Sequence, residues 1–200
     1  MIRAFIAFDL TQDLREALRA LQEELRKARA DVRWVRPEGI HLTIKFLGNI
    51  TEERVEKIAE AMGTAVKGTP SLTIHLHGLG AFPTLRSPRV VWVGVREETG
   101  GLTALQDRIE IEMERLGFLR EKRGFRPHLT LGRFKSFRGR EEIVPLLEQW
   151  NDREVGAFAP RELVLFRSTL LPSGAEYSRL KSIALAPSPL SSPPIGERKT

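Results

Sequence analysis

Two hundred residues are enough for one large domain or two small lobes with a buried core. The chain is 41% hydrophobic with apolar runs no longer than a strand (Val90-Val91-Trp92-Val93), which argues against a membrane span, and the lack of cysteine excludes disulfides, thiolate metal sites and a cysteine nucleophile. A net charge of +6 favours polyanionic partners, and the opening Met1–Asp9 lacks the basic and long apolar segments of a secretory leader, so a cytoplasmic location is the expectation.

Ile2 to Phe8 reads as a strand. Thr11 then caps a helix whose apolar stripe is Leu14, Leu18, Leu21, Leu25 and Ala28. A short strand around Trp34 precedes one at His41 to Phe46. Thr51 caps a second helix with Glu52 and Glu53 in its first turn and Val55, Ile58, Ala59 and Met62 inward. Strands at Leu72 to His77 and Val90 to Val95 flank a Gly/Pro-rich connection, Gly78 to Pro88. Leu102, Leu105, Ile109, Met113 and Leu116 mark a third helix ending near Gly117. A strand at His128 to Leu131, a helix at about Glu141 to Trp150, and strands near Val155 to Phe158, Leu163 to Arg167 and Tyr177 to Ala184 follow. The pattern is α+β with mostly antiparallel strands. Residues 1–186 read as one bilobal domain and 187–200 as a disordered Pro/Ser-rich tail.

One long-range echo stands out. His41-Leu42-Thr43-Ile44 recurs 87 positions later as His128-Leu129-Thr130-Leu131, each strand lying between two amphipathic helices. Two similar lobes facing across a cleft are the natural arrangement. In a strand, His and Thr two apart share one face and the apolar residues share the other. A single such strand is an ordinary half-buried strand. Two of them hold two of the chain's four histidines, and that pairing is improbable by composition.

In-line displacement at a phosphodiester requires a base at the entering oxygen and an acid at the leaving one, on opposite sides of phosphorus. Histidine serves either role near neutrality, and threonine hydroxyls beside it can donate to non-bridging oxygens. Zinc normally needs a third protein ligand, and no Asp or Glu lies within either motif, so no metal and no cofactor are expected. No Gly-x-Ser-x-Gly is present to support a serine triad. From Arg120 to Arg140 eight basic residues, among them Arg123, Arg126 and Arg133, accompany a single acid, Glu121. That run surrounds the second motif and reads as a phosphate-binding surface.

At Trp34 to Gly48, at Gly78 to Pro83 with Pro88 to Trp92, and at Arg126-Pro127-His128-Leu129-Thr130-Leu131-Gly132-Arg133, the chain resembles the 2H phosphoesterases. Within them it is similar to the LigT group of RNA 2′,3′-cyclic phosphodiesterases, also called 2′-5′ RNA ligases. The resemblance implies a cleft between two lobes, with His41, Thr43, His128 and Thr130 as the catalytic set. It further implies that His41 is the proton donor at the leaving 3′ oxygen, that His128 is the acceptor, and that the product is a 2′-phosphate. The implied partner is an RNA with a 2′,3′-cyclic phosphate end, tRNA fragments included, with ATP-independent joining as the reverse reaction. Arg133 is the implied phosphate contact, although strict alternation points it away from His128; Gly132 allows a bend that returns it.

His75 and His77 share a strand face at a spacing that can bind metal, but with no further ligand in view they read as a polar strand face. Lys45 continues the His41 face as a phosphate contact or a solvated residue, and alternation puts Phe46 with the core. Two other functions fit the same residues: an RNA-binding module with little turnover, and a phosphodiesterase for small cyclic nucleotides. A monomer is the simplest expectation for a self-contained two-lobed site.

Overall fold

A computed structural model describes residues 1–171 and 174–185; the tail expected from residue 187 lies outside them. Among the described residues nine strands form two antiparallel sheets. The first has the order β3-β1-β8-β9, from β1 (Ile2–Phe8), β3 (Leu42–Ile50), β8 (Glu162–Leu171) and β9 (Gly174–Ala184). The second has the order β2-β6-β5-β4-β7, from β2 (Val32–Trp34), β4 (Ile74–Thr84), β5 (Ser87–Arg96), β6 (His128–Phe134) and β7 (Glu154–Phe158). The α+β, two-lobed expectation holds. The lobes also trade strands: β2 of the first half pairs with β6, and β8 of the second half pairs with β1.

Helices cover the outer faces. α2 (Arg54–Val66) and α3 (Gly101–Arg115) pack together behind the first sheet, while α1 (Gln12–Arg26) and α4 (Arg140–Gln149) lie behind the second. The α1 stripe of Leu14, Leu18, Leu21 and Leu25 is buried, as its spacing predicts. One contiguous core joins this stripe to Ile58 and Met62 of α2 and to Leu105, Ile109 and Met113 of α3. Each sheet therefore spends its outer face on the core and leaves its inner face for the cleft.

Two sequence expectations need correction. The strands expected to stop at His77 and to start at Val90 run on through the Gly/Pro-rich stretch Gly78 to Pro88: β4 and β5 pair as far as Thr84↔Ser87. Gly80 belongs in that hairpin because a Cβ there would lie 2.4 Å from the Trp92 ring. Thr51 does not cap the second helix, which begins at Arg54 with Glu53 at its N-cap.

Candidate active site

The two motif strands break alternation at the same place. In β3, Ala7 pairs with Thr43 and Ile6 with Lys45, so Ile44 is an extra, bulged residue. In β6, Trp92 pairs with Thr130 and Val91 with Gly132, so Leu131 is the extra residue. Past each bulge the faces exchange. Ile44 and Lys45 are both buried and Phe46 is 67% exposed; Leu131 and Gly132 are both buried and Arg133 is exposed. The first, third and sixth positions of each motif thus share one face: His41, Thr43 and Phe46 on β3, His128, Thr130 and Arg133 on β6.

All six side chains line one cavity of about 340 Å³ between the sheets, together with Arg3, Phe5, Ser168 and Tyr177. The paired histidines and threonines thus line the same cavity, and Arg133 reaches it because the bulge turns it. Gly132 is essential to that turn, since a Cβ would sit 2.5 Å from Val32 Cγ1. Phe46 is a correction: it faces the cleft and not the core. So is Lys45, which lies 5% exposed beneath the sheet and does not line the cavity.

Buried polar groups brace both bulges, each supplied by a helix of the other half. Gln22 on α1 donates to the carbonyls of Val35 (2.8 Å) and Leu131 (2.9 Å), the latter being the bulge residue of β6. Lys45, next to the β3 bulge, donates to Glu110 of α3 (2.6 Å) and to the Leu119 carbonyl (2.9 Å). Glu110 also accepts from Gln106 (3.2 Å) and from the backbone of Glu121 (3.3 Å), tying down the loop that leads to His128.

Each imidazole is held by a carbonyl two residues earlier and backed by aromatic rings. His128 Nδ1 lies 2.7 Å from the Arg126 oxygen, which can only accept, so Nδ1 is the donor and in the neutral ring the lone pair falls to Nε2. Phe82 stands edge-on to its ring at 4.9 Å. His41 sits in a tighter box, stacked on Phe5 at 4.5 Å and Phe166 at 5.9 Å, with Tyr177 edge-on at 4.9 Å.

Desolvation in this box, helped by the nearby Arg15 guanidinium, pushes the His41 pKa down to about 4, against a Gly39 carbonyl that hydrogen-bonds the ring and pulls the other way. Between pH 6.5 and 4 the unfolded chain takes up a proton at His41 that the folded protein refuses. Stability attributable to this residue therefore falls as pH falls through that window, by about 3 kcal/mol in total. Urea unfolding of wild type and His41→Leu at pH 7 and pH 4 checks this: the variant should lose less stability on acidification, and equal losses would refute it.

A second, larger groove of about 860 Å³ opens from the His128 side of the cavity, lined by Phe82, Arg89, Arg123, Arg126 and Arg133 besides the motif residues. The basic run expected to bind phosphate therefore divides. Arg123, Arg126 and Arg133 line the groove, while Arg120 pairs with Glu114 (3.2 Å), Lys135 with Asp31 (3.9 Å), and Arg140 covers Phe137. His75 and His77 lie beside Glu154 (3.5 Å) and Asp152 (3.0 Å), away from the cleft. Among the described residues no group of three or more His, Asp or Glu side chains is arranged to hold a metal ion.

Sequence reading missed Phe46, Gln22, Arg89 and the aromatic box. A glutamine between Leu21 and Leu25 on a buried stripe was the available signal for Gln22. For Phe46 it was the motif echo itself, which aligns Phe46 with Arg133 once both are counted from their histidines.

The family described as LigT like Phosphoesterase matches the chain twice, over residues 8–92 and 93–177. The chain belongs to that family. The two matches correspond to the two halves that each carry one His-x-Thr strand. An RNA 2′,3′-cyclic phosphodiesterase of Methanothermobacter thermautotrophicus is 36% identical over 184 residues, covering 92% of this chain and 99% of that protein. A protein of the same name from Archaeoglobus fulgidus is 37% identical over 180 residues, covering 90% and 98%. Among solved structures, Escherichia coli LigT complexed with 3′-AMP superposes with a TM-score of 0.74 at 29% identity, over 93% of this chain and 99% of that one. Family membership thus extends the likeness from two short motifs to nearly the whole fold.

Proposed function

We propose that the protein hydrolyses RNA 2′,3′-cyclic phosphate ends to 2′-phosphomonoesters without a metal. The observation that carries this reading is the convergence of His41, Thr43, His128 and Thr130 on one cavity between the sheets. Water attacks phosphorus in line, giving its proton to His128 Nε2, while the P–O3′ bond breaks and His41 protonates the departing oxygen. A ring whose pKa is held near 4 is, once protonated, a stronger acid than an ordinary imidazolium, and the anionic cyclic phosphate entering the cleft supplies the charge that favours that protonation. Thr43, Thr130 and Arg133 neutralise the non-bridging oxygens. Phe46 offers an exposed ring 6.1 Å from Phe5 on the His41 side, a platform on which the terminal base stacks. Run with a 5′-hydroxyl in place of water, the same displacement joins two RNAs through a 2′-5′ linkage without ATP.

End analysis of a cyclic-ended oligonucleotide tests the reading. The expected product is a 2′-phosphate that forms equally well in excess chelator. A 3′-phosphate product, or complete inhibition by chelator, would contradict it.

A further inference from the structure

We infer that the arginine groove on the His128 side binds the sugar–phosphate backbone of a second polynucleotide strand, with its 5′-hydroxyl placed to attack the cyclic phosphate. The inference rests on the reading above and adds where the attacking strand lies. Arg89, Arg123, Arg126 and Arg133 surround this groove, and among the described residues none of the four is ion-paired. By contrast, Arg120 is paired with Glu114 and Lys135 with Asp31. Unpaired guanidiniums around one groove favour a polyanion and release counterions when it binds.

In-line geometry says which polyanion. On that reading the nucleoside that bears the cyclic phosphate rests on the Phe46 side, next to His41, both of which line the cavity. The entering oxygen must then approach from the opposite side of phosphorus, which is the His128 side, where the groove opens. Water occupies about 30 Å³, whereas the groove offers about 860 Å³. An attacking water needs none of that room. A strand does, and its phosphates match the guanidiniums of Arg89, Arg123 and Arg126, while Arg133, which lines both spaces, stays with the cyclic phosphate. When that strand attacks, its 5′ oxygen bonds to phosphorus and its proton passes to His128. The P–O3′ bond breaks, and His41 protonates the 3′ oxygen. The product is one 2′-5′ phosphodiester and one 3′-hydroxyl, with atoms and charge conserved and no further reactant.

The test uses the full chain, a cyclic-ended donor oligonucleotide, and a 5′-hydroxyl acceptor oligonucleotide whose 3′ end is blocked. Joined and hydrolysed products are measured against the concentration of each strand, for wild type and for Arg89→Ala/Arg123→Ala. Both side chains are exposed, so the double variant keeps its fold. The expected result is a roughly tenfold rise in the half-saturating acceptor concentration, with a salt dependence shallower by about two phosphate contacts and a smaller rise for the donor. Equal rises for donor and acceptor would overturn the inference, because the groove would then hold the donor's own body. An unchanged acceptor curve would overturn it too. If wild type opens the cyclic end yet joins nothing at any acceptor concentration, this inference alone fails; if it leaves the cyclic end intact, the hydrolytic reading fails with it.

Discussion

Alanine at His128 or at His41 is expected to lower kcat on a cyclic-ended oligonucleotide by about 10³-fold, the usual worth of a positioned general acid or base. The two losses should not add. Once one imidazole is gone, concerted proton transfer across phosphorus is already lost, so the double variant should fall less than about tenfold below the worse single variant. Steady-state kinetics, with far-UV circular dichroism to confirm folding, measures both statements. Losses smaller than tenfold, or losses that multiply, would mean that the rings do not act as a pair.

Glu110→Ala is expected to destabilise the fold by about 3–5 kcal/mol, because it leaves the Lys45 ammonium charged and buried with no anion beside it. Side-chain exposures of 3% for Lys45 and 9% for Glu110 place this pair among buried ion pairs, not surface ones. Replacing both partners together by methionine removes the stranded charge and should recover most of that loss. Urea unfolding of the single and double variants separates the cases; a Glu110→Ala cost under about 1 kcal/mol would show that water reaches Lys45. The tie from Glu110 to Glu121 and from Lys45 to Leu119 lies just upstream of Arg123 and Arg126, so the same variant should loosen the loop that lines the groove.

Much of this architecture was legible in the residues. Leu14, Leu18, Leu21 and Leu25 announced α1, and the repeated His-x-Thr strand announced both the duplicated lobes and the side chains that meet between them. Local pattern failed where distant residues decide the outcome. The bulges at Ile44 and Leu131 depend on braces from Glu110 and Gln22, which lie on helices of the opposite halves, and no window around either motif contains them. Strict alternation consequently exchanged Lys45 and Phe46 between core and cleft. The exchange of β2 and β8 between lobes is likewise a tertiary choice, invisible in two halves that read alike. The lowered pKa of His41 has the same origin: Phe166 and Tyr177 reach the ring from β8 and β9, more than a hundred residues along the chain.

A crystal structure of the protein with a nucleoside 2′-phosphate measures the central claim most directly. One phosphate should lie within about 3 Å of a ring nitrogen of both His41 and His128, with the base on the Phe46 side. A phosphate held by only one imidazole, with the other ring turned away from it, would contradict the account.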